Sequence, residues 1–132
     1  PDRATAEFAF GEALTRADIV LASVEDLKLL FDHADIERLL VYQVEAELVL
    51  KLDHPACRLL YNGCDELVTA EPVAHVIDTT AAGDSFAAAY LAARLQGKDP
   101  VAAARAGHRL AGAVVQHRGA IVPRAAMPDM HV

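Results

Sequence analysis

Residues 78 to 86 read Asp78-Thr79-Thr80-Ala81-Ala82-Gly83-Asp84-Ser85-Phe86, between the short run His75-Val76-Ile77 and the apolar stretch Phe86 to Gln96. The pattern predicts the end of a strand feeding a helix that is apolar nearly all round and therefore buried on most sides. Backbone N–H groups at a helix start have no intrahelical acceptor, and the helix dipole favours negative charge there. Small residues at 81, 82 and 83 let a phosphate approach, which makes the N–H groups of Ala81, Ala82, Gly83 and Asp84 a candidate anion hole. Asp84 places a carboxylate beside it, positioned to take a proton from a hydroxyl that attacks a terminal phosphoryl group. The same residues also fit a plain helix start with an N-cap, and the residues alone leave both readings open.

Working outward, Gly97 ends that helix, Asp99 and Pro100 supply a cap and a first helical residue, and Val101 to His117 reads as a last long helix stopped by Gly119. Upstream, a helical pattern over residues 4–17 leads into the apolar run Ile19-Val20-Leu21-Ala22. Ser23, followed by Glu25 and Asp26, marks another helix start, and a further helix is predicted over Asp35 to Gln43. Leu48 to Leu52 reads as a second strand, and Arg58–Tyr61 with Glu66–Thr69 around Asn62-Gly63 as a hairpin closed by Pro72. Strands alternating with helices predict an α/β fold with a mostly parallel sheet, flanking helices and one β-hairpin. No repeat, low-complexity segment or linker marks a second domain, so residues 1–132 read as a single unit.

Composition narrows the function classes. The 132 residues are 54 % hydrophobic with mean hydropathy +0.22, enough for an ordinary core. The net charge of −7 argues against nucleic acid as a partner. That charge is uneven: residues 1–66 carry −8 and residues 67–132 carry +1, so the second half is the better host for an anionic ligand. No run approaches the ~20 apolar residues of a membrane span, and the opening residues lack a basic-then-apolar leader, so a cytoplasmic protein without a membrane partner is expected. Cys57 and Cys64 flank the hairpin turn without facing each other and read as reduced packing residues. No cluster has zinc spacing.

The motif, continuing Ala87-Ala88-Ala89-Tyr90-Leu91, closely resembles the C-terminal signature of the ribokinase-like (PfkB) carbohydrate kinases. The tail from Gly107 to Pro128 resembles the closing helix and turn of the branch of that family that phosphorylates 2-keto-3-deoxygluconate. Residues 18–35 resemble the strand and helix those kinases have upstream. The resemblance implies the C-terminal part of a ribokinase-like fold and ATP-dependent phosphorylation of a sugar or sugar-acid hydroxyl, with Mg²⁺. It assigns Asp84 as catalytic base and residues 81–84 as the anion hole, and it puts Lys51 and His108 on the nucleotide side. Where relatives bind a monovalent cation such as K⁺, the matching positions are Asp78, Thr80, Val114, His117 and Gly119. As competing roles, Asp78 serves to brace the loop and His117 to complement the helix end.

Departures from the family pattern carry consequences. Where relatives have an Asn-x-x-Glu element for magnesium-bound phosphates, this sequence has Ser23-Val24-Glu25-Asp26, which leaves Asp26 as the carboxylate for that role. The nucleotide loop, usually Lys-x-Gly-x-x-Gly, is Lys51-Leu52-Asp53-His54-Pro55-Ala56, without glycine and with an added acid, which is expected to weaken ATP binding. Family members are much longer, and the part that supplies their lid and sugar contacts has no counterpart here. An open sheet edge available for self-association is therefore expected. Two functions follow: a sugar-acid kinase represented by its catalytic portion, or an inactive relative that binds nucleotide or a partner. A dinucleotide-binding domain is disfavoured, because neither GxGxxG nor a Walker A sequence is present.

Overall fold

A computed structural model describes residues 2–31 and 45–129, so the helix predicted over Asp35 to Gln43 lies outside the described residues. The chain divides into two compact units, Pro1–Leu67 and Val68–Val132.

In the first unit, helix α1 (Arg3–Leu14) opens on Asp2, whose carboxylate accepts the Thr5 N–H. Strand β1 (Ile19–Ser23) leads directly into the short helix α2 (Val24–Leu30). Ser23 caps α2 as predicted, accepting the Asp26 N–H at 3.0 Å. Strands β2 (Glu47–Lys51), β3 (Ala56–Tyr61) and β4 (Cys64–Thr69) complete a four-stranded sheet in the order β1-β2-β3-β4. Central β2 is buried from Glu47 to Leu50, as a strand covered on both faces requires. Ala22, Leu27 and Leu50 form a core cluster, against which Phe10, Val24 and Phe31 pack.

The sheet corrects one expectation. β1 and β2 are parallel, but β2 and β3 are antiparallel, so the sheet is mixed rather than mostly parallel. Only residues 52–55 join β2 to β3, far short of the dozen or so residues a parallel crossover needs. The Leu52 N–H donates to the Ala56 carbonyl, and the Ala56 N–H to that of His54. Neither bond needs a left-handed residue, so this turn forms without the glycines of the family loop.

At the next turn both Asn62 (φ 48°) and Gly63 (φ 75°) are left-handed, the two-residue geometry that Asn-Gly favours. The hairpin is therefore longer than predicted at both strands. Its cysteines are both free, Cys57 buried and Cys64 exposed. Burial pushes the Cys57 thiol up to about 11.

The second unit is built on two helices, α3 (Ala82–Leu95) and α4 (Pro100–Val114). Asp99 caps α4 by accepting the Ala102 N–H at 2.9 Å, and Pro100 stands at its first position, as the sequence indicates. α3 buries Phe86, Ala89, Tyr90 and Ala93, one face at helical spacing, while Leu91 and Leu95 are exposed, Leu95 at 90 %. The expected burial on most sides is thus not met. α4 answers with small buried residues, Ala103, Ala104, Ala106 and Gly107. Hydrogen in place of a side chain at Gly107 admits the Phe86 ring, since a Cβ there would lie 2.7 Å from a ring carbon.

Phe86 is only 3 % exposed and cannot swing into solvent. Gly107→Ala is therefore expected to destabilise the second unit by about 1–3 kcal/mol, read as a lower urea midpoint. An unchanged midpoint would mean that the contact between Gly107 and Phe86 is not tight in solution.

Candidate active site and its family

The predicted strand at residues 75–77 belongs to no ladder. Instead the N–H groups of Ile77 and Asp78 both donate to the Val115 carbonyl, at 2.7 and 3.1 Å, just past the end of α4. Asp78 completes this fastening. One carboxylate oxygen accepts the Thr80 N–H and the other the Gly119 N–H, each at 2.8 Å. Gly119 adopts φ 77°, a conformation that favours glycine. The Thr80 side chain, then the Gly119 and Thr80 amides, hold the Asp78 carboxyl down at about 2.

α3 begins within the motif, at Ala82, four residues before the predicted Phe86. Its N-cap is Ala81, left-handed at φ 60° and ψ 11°, and no side chain caps the helix. The Ala82 N–H donates to the Thr79 carbonyl and the Ser85 N–H to the Ala81 carbonyl. The N–H groups of Ala81, Gly83 and Asp84 have no acceptor among the described residues. Of the four N–H groups named for an anion hole, three are open and that of Ala82 closes the loop. Asp84 is exposed in the first turn of α3, and its carboxylate has no partner among the described residues.

The residues matched to a cation site are partly engaged in the loop itself. Both Asp78 oxygens accept N–H groups, the Val114 carbonyl accepts the His117 N–H at 3.0 Å, and His117 Nδ1 donates to the Ala113 carbonyl at 3.1 Å. Asp78 thus braces the loop and His117 bonds back to the end of α4. Among the described residues no three His, Cys, Asp or Glu side chains cluster to hold a metal ion.

His108 lies on the wall of an open cavity of about 530 Å³ between residues 69–73 and α4. Its Nε2 lies 3.1 Å from the Val68 carbonyl, and its ring meets Phe86 edge-on with centroids 4.9 Å apart. A carbonyl only accepts, so Nε2 carries the proton. Desolvation holds His108 below the ordinary 6.5, against the opposing pull of the Val68 bond. Gly112 and Gln116 line the same wall. The sequence reading missed these two, although their four-residue spacing from His108 was the available signal.

In the first unit, Lys51 ends β2 in register with Ser23 at the end of β1. The Ser23 hydroxyl donates to Asp26 Oδ2 at 2.5 Å while its oxygen caps the helix. Lys51 ends β2, and Asp26 stands in the first turn of the helix that follows the carboxyl end of the adjacent parallel strand β1, the end of a sheet at which α/β folds place ligands.

A left-handed N-cap, a helix start with open N–H groups and a free carboxylate beside them stand together where α3 begins. The chain belongs to the pfkB family carbohydrate kinases, matching that family over residues 2–127. It is similar to the 2-dehydro-3-deoxygluconokinase of Escherichia coli, 38 % identical over 125 residues, covering 90 % of this chain and 40 % of that protein. The enzyme of the same name from Dickeya dadantii is 37 % identical over 126 residues, covering 91 % and 41 %. Arabidopsis thaliana ribokinase, solved with ribose and ATP, superposes with TM-score 0.72 at 28 % identity over 89 % of this chain and 39 % of its own. A ribokinase-like Escherichia coli chain solved with ATP and Mg²⁺ gives TM-score 0.73 at 26 % identity, covering 89 % and 38 %. The chain spans about 40 % of the length of the curated relatives it matches. Among the described residues no helix is long and apolar enough to cross a membrane.

The two perturbed groups set separate pH windows. Asp78 has a folded value of about 2 against 3.8, so its stabilisation is present above 3.8 and is lost as pH falls through about 2. His108 is held below 6.5, so the unfolded chain takes up its proton first and stability falls as pH drops below 6.5. Urea midpoints measured across pH should show both declines, with Asp78→Asn flattening the lower and His108→Gln the upper. Curves parallel to the parent chain would remove these assignments.

Proposed function

We propose that residues 1–132 form the C-terminal, phosphate-handling portion of a single ribokinase-like domain, serving transfer of the ATP γ-phosphoryl group to a hydroxyl of a sugar acid. The observation that carries this reading is the unpartnered Asp84 carboxylate, one residue from the open Gly83 N–H at the start of α3. In the proposed reaction the Ala81, Gly83 and Asp84 N–H groups hold phosphoryl oxygens, aided by the helix dipole. Asp84 takes the proton of the attacking hydroxyl as its oxygen bonds to phosphorus and ADP departs. The cavity beside His108 takes the nucleotide base, and Lys51 serves the nucleotide from β2.

Asp26 suits support of Mg²⁺-bound phosphates, because magnesium in such sites takes one or two carboxylates and draws its other ligands from phosphate and water. Bound there, the ion would neutralise phosphate charge. Asp26 Oδ2 is tied to Ser23, which orients the carboxylate. Identity of 38 and 37 % to two 2-dehydro-3-deoxygluconokinases supports 2-keto-3-deoxygluconate as the substrate. A K⁺ ion at Asp78, Thr80, Val114, His117 and Gly119 has less support, since the turn is already closed by its own hydrogen bonds. A cytoplasmic setting fits a kinase that uses ATP.

A second reading, an inactive nucleotide-binding module, draws on the 52–55 turn. It is closed by its own bonds and carries Asp53 and Ala56 in place of glycines, with Pro55 between them.

Calorimetric titration of Mg-ATP into the 132-residue chain tests both. Binding is expected, and Asp84→Asn should tighten it several-fold by removing a negative charge beside the phosphates. Unchanged or weaker binding in that variant would place the phosphates elsewhere. A coupled ADP-release assay with 2-keto-3-deoxygluconate then separates the readings. Turnover lost about 10²–10⁴-fold in Asp84→Asn means a complete site, assembled for instance through an open sheet edge. Binding without turnover leaves sugar recognition to the part of the relatives this chain does not span.

A further inference from the structure

The cavity in the second unit is lined by two arginines, Arg105 and Arg109, one turn apart on α4. Residues at this spacing have Cβ atoms about 5–6 Å apart, and like charges there destabilise a helix. Neither guanidinium has a hydrogen-bond or ion-pair partner among the described residues. By contrast, the described arginines of the first unit, Arg3, Arg16 and Arg58, each hold a carboxylate, and Arg94 donates to the Lys98 carbonyl. Among the described residues Glu71 is the one acid lining the cavity, and it makes no ion pair with either arginine. A chain of net charge −7 thus leaves two guanidiniums uncompensated at one opening. The rest of the wall combines Pro72, Val73 and Ala113 with the polar Thr69 and Gln116. Its volume of about 530 Å³ falls within the ~300–1,000 Å³ of small-molecule sites.

We propose that Arg105 and Arg109 hold the phosphate group of a small organic phosphomonoester whose body fills this cavity. A planar guanidinium sets two N–H groups against two oxygens. One such fork satisfies a carboxylate, which has only two oxygens. A phosphomonoester has three terminal oxygens and a charge near −2 at neutral pH, so a second fork one turn away still finds an acceptor and a charge to neutralise. Mixed apolar and polar surface below the arginines suits a compact body carrying hydroxyls. Glu71, on the facing wall, opposes the phosphate and limits its affinity. The site uses none of the groups assigned above to phosphoryl transfer. Because the nucleotide base is read into the same cavity, the phosphomonoester and Mg-ATP exclude one another, and this part alone rests on that reading. A phosphorylated polyol, the chemical class a sugar kinase produces, thereby restrains nucleotide uptake.

Glucose 6-phosphate, inorganic phosphate and glucose are the probes, titrated calorimetrically into the 132-residue chain. Glucose 6-phosphate is expected to bind, inorganic phosphate more weakly because it leaves the rest of the cavity empty, and glucose not at all. Arg105→Gln and Arg109→Gln should each weaken glucose 6-phosphate about tenfold or more, as the loss of a hydrogen bond between charged groups does. Glu71→Gln should tighten it several-fold. Arg124→Gln removes the same charge from a residue outside the cavity and should change nothing. All four residues are exposed, so the variants are expected to fold. No binding of glucose 6-phosphate, equal affinity for inorganic phosphate, or an equal effect of Arg124→Gln would overturn the site. Competition with Mg-ATP then separates the two readings of the cavity. Mutual exclusion that weakens in the Arg105 and Arg109 variants supports both. Simultaneous binding of the two ligands would remove the base from this cavity and overturn the restraint on nucleotide uptake, while the arginine site stands on its own variants.

Discussion

The Asp78 carboxylate holds the rest of the candidate site in place. Its two oxygens join the Thr80 and Gly119 amides, and the preceding backbone is fastened to Val115, so the entrance to α3 is anchored to the exit from α4. A helix start can offer N–H groups to an anion only if its first turn does not fray, and here no side chain caps it. Stability must come from outside the helix, and the Asp78 bridge supplies it. The cost is borne at Ala81, an alanine held in the left-handed region. The loop that results leaves Gly83 and Asp84 open and uses the Ala82 amide to close itself.

Packing of α3 on α4 connects that loop to the cavity. Phe86, five residues after Ala81, lies against Gly107 and the His108 ring, so the first full turn of α3 and the cavity wall share one aromatic contact. The open start of α3 and the cavity beside His108 are thus two ends of one helix pair in the second unit. The large exposed residues of α3, Leu91 and Leu95, lie beyond this contact and take no part in it.

Much of this was legible in local chemistry. Asn62-Gly63 announces its turn because both residues tolerate positive φ, and Asp99-Pro100 announces a helix because one caps and the other is already bent for it. Ser23 declared α2 in the same way. What escaped prediction is nonlocal. The Val68 carbonyl and His108 are forty residues apart, and Asp78 and Gly119 forty-one, with no periodicity to connect them. The 75–77 run has the apolar residues of a strand, but its amides found a single carbonyl in place of a neighbouring strand. Ala81 gave no signal either, since alanine does not advertise a left-handed backbone as glycine would. In the site itself the motif marked Asp84 and the open amides, while Gln116 emerged only once the wall of the cavity was seen.

The hairpin's two cysteines differ in a way that has a practical consequence. Cys64 is exposed and Cys57 is fully buried with its thiol pushed up to about 11, and both are free. A thiol-alkylating reagent will therefore mark Cys64 at once and Cys57 only when the sheet around it opens. Mass spectrometry of the singly and doubly alkylated chain converts the pair into an internal clock, with the exposed sulfur as time zero and the buried one counting the opening of the first unit without any added probe.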